Sequence, residues 1–381
     1  MHREKILRDF NHYYNPVHTV QGRGAVQELP NLLRELAGEK GRVLLLVWDN
    51  SVLERAVFQK LGERFQVRSI CFTESNPTVE QLFALYEKTK EFSPQAVAAV
   101  GGGSVMDVGK SLCCLYGQEI GSAKELREII SRREYRAGTV RWIGIPTTSG
   151  TGSEVTCWAT IWDPKENLKR SVEDRDNYAY AAVADPDLTD EMPLGLAVSS
   201  ALDAVAHAVE SYWAKGSNMT SRILALGAVR TIMKHIECLL AGDSQAHDYM
   251  SQGSLLAGLA FSNTKTTACH SISYPLTMQY HIPHGTAVSL LLGPVMAVNQ
   301  ADTEEISLLL GALGVSSAGE LEEKIRDILR RAGIPASLSE WKVEHGRLPE
   351  LARLGITKGR ADNNPVNLTP VMIENLLEAI Y

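Results

Sequence analysis

Short β-rich runs alternate with amphipathic stretches through the first half of the chain. VLLLVW (43–48), VRSICF (67–72), AVAAV (96–100) and WIGIP (142–146) have the length and apolar character of buried strands. Between them, SVLERAVFQKLG and TVEQLFALYEKTKEF space their apolar residues as helices do. Strands alternating with helices predict a parallel sheet covered on both faces. CWATIWDPKENLKRSV predicts a hairpin that turns at DPKEN. Beyond DPDLTDEMP (185–193) the strand signal fades. LAVSSALDAVAHAVESYW, ILALGAVRTIMKHIECLL, EISLLLGALG, ELEEKIRDILRRAG and TPVMIENLLEAIY all carry helical spacing. The pattern predicts an α/β domain over residues 1–190 and an all-α domain over 191–381. A chain of 381 residues is too long for one ordinary core, which agrees.

Composition narrows the class. With 44% hydrophobic and 22% charged residues, the chain has ample material for a globular fold. A formal charge of −7 argues against nucleic acid or an anionic membrane as partner. The start, MHREKILRDF, is charged and lacks an apolar signal core, and no run approaches the roughly eighteen apolar residues of a membrane span. A cytoplasmic location is expected. Six cysteines without a CxxC spacing read as reduced, buried small hydrophobes; Cys269 stands out because it adjoins His270.

Two loops suit a phosphate-bearing cofactor. GGGSVMDVGK (101–110) follows a strand and opens a helix, where glycines admit a phosphate and free N–H groups attract it. Ser104 and Asp107 also have the spacing of an ordinary capping box. IPTTSGTGSE (145–154) lies beyond another strand, and Thr147, Thr148 and Thr151 offer uncharged hydroxyls; as a plain alternative it is a polar turn. Both loops fall at carboxyl ends of strands, the ligand-binding edge of open α/β sheets. Asp49, which ends VLLLVW, can accept bonds from a ribose and repel a 2′-phosphate, favouring NAD over NADP; it also suits a simple helix cap.

The helical half holds a candidate metal site. LDAVAHAVE places Asp203 and His207 four apart on one helix face, while His270 and the turn-borne His284 follow in FSNTKTTACHSISYPLTMQYHIPHG (261–285). One oxygen and three nitrogens suit a divalent ion such as iron(II) or zinc. His2, His12, His18, His235, His247 and His345 read as ordinary core or surface residues, and His281 stays open.

Together these segments identify a family resemblance. QGRGAVQEL, TESNPT, GGGSVMDVGK, IPTTSGTGSE, DPDLT, LDAVAHAVE, AFSN…H, IPHG and DNNP, in this order, resemble the iron-containing (group III) alcohol dehydrogenases along nearly the whole chain. The resemblance implies a nucleotide-binding α/β domain, a helical domain, and a cleft holding NAD(P) and a metal. It implies Asp203, His207, His270 and His284 as metal ligands. It implies Asp49, Gly102, Gly103, Ser104, Asp107, Thr147, Thr148 and Lys169 as cofactor contacts, with Asn76 near the adenosine. Dimers or larger homo-oligomers are also implied.

Two departures bear on the substrate. Many members have H-x-x-x-H at the third ligand, with the second histidine often given a proton-relay role; here HSISY has Tyr274. Before that ligand stands KTTAC in place of a glycine-rich apolar stretch. Lys265, Thr266 and Thr267 would suit a small anion better than an alkyl alcohol, unless Lys265 simply extends to solvent. The segment resembles phosphonoacetaldehyde reductases, which implies reduction of phosphonoacetaldehyde to 2-hydroxyethylphosphonate. The competing readings are a general short-chain alcohol dehydrogenase, a dehydroquinate synthase-like lyase that uses NAD transiently, and a binding protein without catalysis.

Overall fold

The computed structural model describes residues 12–166, 168–356 and 359–381. It divides into two compact units. One, α/β, comprises Pro16–Thr148 and Gly152–Asp190; the other, helical, takes Glu191–Tyr381 with Ser149–Thr151 and, among the described residues, 12–15.

The α/β unit is built on six parallel strands. These are β1 (His18–Gln21), β2 (Arg42–Val47), β3 (Gln66–Cys71), β4 (Ala96–Gly101), β5 (Arg141–Pro146) and β8 (Ala181–Ala184), in the order β1-β8-β5-β4-β2-β3. Because side chains alternate along a strand, the continuous apolar runs supply two cores at once. Leu44, Leu46, Val97 and Ala99 face one layer; Val43, Leu45, Val47, Ala96, Ala98 and Val100 face the other. Helix α1 (Leu29–Ala37) covers the second layer with Leu29, Leu32 and Leu33. Helices α2 (Val79–Thr89), α3 (Gly103–Leu115) and α4 (Ala123–Arg132) cover the first. The predicted hairpin is β6 (Trp158–Asp163) paired antiparallel with β7 (Leu168–Glu173). One expectation fails: SVLERAVFQKLG is no continuous helix. It breaks into a 3-10 turn, Asn50–Glu54, and two single-turn pieces, Ala56–Gln59 and Leu61–Arg64, where Arg55 is extended at φ −70°, ψ 135°.

A buried lysine ties α3 to the segment after β5. Lys110 is fully buried, and its Nζ donates to Ser153 Oγ (2.7 Å), Thr156 Oγ1 (2.8 Å) and the Trp158 carbonyl (2.9 Å). Burial pulls its pKa down to about 8 while Asp107 pulls the other way. Three acceptors for three ammonium protons explain how the charge is tolerated there.

The helical unit is organised around α5 (Leu194–Trp213), an alanine- and valine-rich helix buried over most of its length. A helix buried on most sides belongs inside a bundle. Helices α6 (Met219–Leu240), α7 (Ala246–Thr264) and α9 (His284–Leu290) pack on it; α8 (Ala268–Tyr280) lies between α7 and α9 in the chain. Helices α10 (Leu292–Asn299), α11 (Ile306–Leu313), α12 (Ala318–Arg331), α13 (Leu348–Leu354) and α14 (Pro370–Ala379) complete the unit. No helix among the described residues is long and apolar enough to cross a membrane.

Candidate active site

Helix α5 projects Asp203, His207 and Glu210 at spacings of four and three, so they share one face. His270 is in the first turn of α8 and His284 opens α9. Ligand atoms of Asp203, His270 and His284 lie within 4.8 Å of one another. His270 Nε2 is 3.5 Å, and His284 Nε2 4.0 Å, from Asp203 Oδ1. Both Asp203 Oδ1 and His270 Nε2 are buried without a hydrogen-bond partner. Orphaned buried polar atoms are costly, and these converge, so the donor set fits a cation. His207 borders the trio: its ring is 4.4 Å from that of His270, stacks on Phe261, and comes within 3.8 Å of Asp203 Oδ2. Its Nδ1 donates to the Gly150 carbonyl (3.2 Å), which leaves the lone pair on Nε2.

The electrostatics differ from one histidine to the next. Burial lowers the pKa of His207 to about 4, so it is neutral at pH 7, the state a metal ligand requires. Burial opposes charge on His270 too, but Glu210 and Asp203 prevail and raise its pKa to about 9. Burial works against the Asp203 carboxylate, yet the three imidazoles hold its pKa well below the usual range.

Close helix packing sets the position of His284. A Cβ on Gly285 would lie 2.0 Å from the Ser199 carbonyl oxygen and 3.0 Å from Asp203 Cβ. Gly285→Ala is therefore expected to push α9 off α5, costing about 1–3 kcal/mol. Thermal unfolding of metal-free and metal-loaded protein would show it as a lower Tm in both.

Glu210 was not singled out by sequence. It is entirely buried and accepts from Thr267 Oγ1 (2.8 Å), Cys269 N (2.6 Å), His270 N (3.4 Å) and His270 Nδ1, the last a very short contact. Thr267 in turn accepts from Trp213 Nε1 (2.8 Å). The expectation that Thr267 donates to a substrate is corrected: a hydroxyl has one proton, and Glu210 receives it. Thr266, also buried, accepts from Arg360, a residue that sequence reasoning missed. Lys265 ends α7 with φ 61°, half-buried. Tyr274 stacks on His284 with rings 6.0 Å apart and 6° from parallel.

Several of the cofactor candidates follow the carboxyl ends of strands in the chain: Asp49 after β2, Asn76 after β3, Gly102 and Gly103 after β4, and Thr147 and Thr148 after β5. Gly102 is the residue before α3, whose start receives no side-chain cap, so the Ser104–Asp107 capping box is corrected. Ser104 Oγ instead accepts from Asn76 N (3.1 Å). The Asp107 carboxylate accepts from Ser153 Oγ (3.1 Å) and Thr160 N (3.0 Å), which makes it a brace for the loop. Gly103 begins α3, Thr147 N bonds the Gly101 carbonyl (3.1 Å), and Thr148 lies against Gly102 with its Oγ1 buried and unpartnered. Glu154 Oε2, another buried orphan on this loop, escaped the sequence reading; burial raises its pKa to about 7. Asp49 accepts from Ser51 N (2.8 Å) as a cap does. Lys169, on β7, holds its ammonium 5.7 Å over Trp162. Thr151 falls within the Ser149–Thr151 triplet of the helical unit.

Residues 16–186 match the model of the iron-containing alcohol dehydrogenases, and residues 197–381 that of the Fe-containing alcohol dehydrogenase family, C-terminal. Long-chain-alcohol dehydrogenase 1 of Geobacillus thermodenitrificans is 33% identical, with 75% of this chain and 74% of that protein covered. Sulfoacetaldehyde reductase of Bilophila wadsworthia is 28% identical over 97% and 98%. The solved iron-containing alcohol dehydrogenase of Thermotoga maritima matches with a TM-score of 0.82 at 27% identity, over 97% and 99%. The chain belongs to the iron-containing alcohol dehydrogenase family. It is an oxidoreductase of a class that uses NAD(P) and iron.

Proposed function

We propose that this enzyme reduces a small anionic aldehyde, phosphonoacetaldehyde foremost, to its alcohol. The observation that carries the reading is the Lys265–Thr266 stretch, Thr267 being committed to Glu210. It runs directly into the helix of His270, and Arg360 bonds to Thr266 Oγ1. One cationic side chain thus belongs to this short stretch and a second, Arg360, reaches it from 94 positions away, where a simple alcohol would need neither. The similarity to a protein named sulfoacetaldehyde reductase, which acts on another small anionic aldehyde, supports it.

When bound, a divalent ion would polarise the carbonyl oxygen and a dihydronicotinamide would supply the hydride to the carbonyl carbon. Asp203, His207, His270 and His284 would hold the ion. Gly102, Gly103, Ser104, Thr147 and Thr148 would seat the dinucleotide, with Asn76, Thr151, Lys169 and Asp49 around it. Lys265 and Thr266 would orient the anionic end. Tyr274, whose ring stacks on that of His284, would deliver or relay the proton that completes the alcohol. The same reading makes the protein a cytoplasmic homo-oligomer.

Lys265→Met is the direct test. Loss of one ionic hydrogen bond is expected to cut kcat/KM for phosphonoacetaldehyde about ten- to a hundredfold. An uncharged aldehyde of similar size should change less than about threefold. Equal losses would remove the lysine from substrate recognition. One NADH consumed per product separates reduction from lyase chemistry.

A further inference from the structure

We infer that Glu210 is a positioning residue of the metal centre, fixing which nitrogen of His270 faces the ion and anchoring the first turn of α8. This rests on the ligand set proposed above.

The argument is one of donors and acceptors. An ionised carboxylate only accepts hydrogen bonds. Glu210 Oε2 meets His270 Nδ1, so that nitrogen keeps its proton and an incoming ion can displace only the one on the metal-facing Nε2, whose lone pair it then takes. Nε2 is the buried atom without a partner, 3.5 Å from Asp203 Oδ1. The other oxygen, Oε1, takes the N–H groups of Cys269 and His270 and the hydroxyl of Thr267. These amides belong to the opening turn of α8, which has no side-chain cap from its own preceding residue, Thr267. One carboxylate therefore holds both the ring and the helix end that bears it. Charge gives a second reason. Asp203 and Glu210 are both buried, and a dication would neutralise the pair.

Glutamine cannot replace this group. Its amide has one accepting oxygen, whereas here both oxygens face donors. In either orientation the NH₂ of Glu210→Gln meets an N–H, against the backbone or against Nδ1. If the second arrangement wins, the imidazole proton moves to Nε2 and blocks the metal.

The test measures affinity of the metal-free protein for zinc(II) and cobalt(II) by chelator competition, with the visible spectrum of the cobalt form recorded. Glu210→Gln is expected to bind about ten- to a hundredfold more weakly with an altered cobalt spectrum. Thr267→Val removes a donor to Oε1 without touching the ring and should stay within about threefold of wild type. Glu210→Asp keeps the charge and should lose about five- to tenfold, and it carries the test if the glutamine variant does not fold. Unchanged affinity in the glutamate variants overturns the inference. So does an equal loss in Thr267→Val, which would assign the effect to packing alone. A wild-type protein that binds no ion would instead bring down the ligand set, and this inference with it.

Discussion

Asparagine in place of Asp203 is expected to strip the metal from the protein and to lower kcat/KM about a thousandfold or more. The substitution keeps the shape of the side chain and removes only its charge. Asp203 is the sole anion among the four proposed ligands, and its Oδ1 lies 3.5 Å from His270 Nε2 and 4.0 Å from His284 Nε2. Lewis-acid activation is worth several kcal/mol, and each ~1.4 kcal/mol is tenfold in rate, which sets the scale. Metal content after dialysis and Tm with and without added ion are the accompanying measurements. Wild type should gain thermal stability from the ion and Asp203→Asn should not. A variant that retains its metal and works within tenfold of wild type would show that the three imidazoles suffice.

The second large effect is expected within the α/β unit. Lys110→Met should destabilise the protein by about 3–5 kcal/mol, because it leaves Ser153 Oγ, Thr156 Oγ1 and the Trp158 carbonyl without their buried donor. Asp107 would also lose its neighbouring ammonium, 3.9 Å away. Such a loss is a large share of an ordinary folding free energy. Urea unfolding followed by circular dichroism measures it. The same variant should raise KM for the dinucleotide more than it lowers kcat, since Ser153 and Thr156 fix the end of the IPTTSGTGSE loop. Wild-type stability in Lys110→Met would mean that water replaces the ammonium at low cost.

Local patterns carried the reading of the sheet. β2, β4 and β5 are nearly continuous apolar runs, and β6–β7 flank an unmistakable turn. The two strands that sequence did not reveal, β1 (HTVQ) and β8 (AAVA), are four residues each: one too polar and the other too plain to carry a period. In the helical unit, Asp203 and His207 were legible because a helix fixes their spacing. Glu210 was not, since at the end of LDAVAHAVE it looks like any solvent-facing acid until α8 is folded beside it. Arg360 contacts Thr266 across 94 positions, which no local pattern predicts. The role of Thr267 was misjudged for the same reason. Its chemistry was read correctly as a hydroxyl donor, but its recipient belongs to another helix. Lys110 ends the GGGSVMDVGK stretch and drew no reading of its own, since a lysine is expected outside a core, and only the three acceptors around it explain its place within one.

The proposed ligands come from α5, α8 and α9, separated by the whole α6–α7 hairpin. An ion at a hundred times its dissociation constant would add about 2.7 kcal/mol to the stability of whatever state assembles them. The ion would thus act as a fastener between distant stretches of chain, and its supply would govern how long the helical unit survives heat or proteases. Iron starvation should then shorten the lifetime of the protein itself, beyond its effect on turnover.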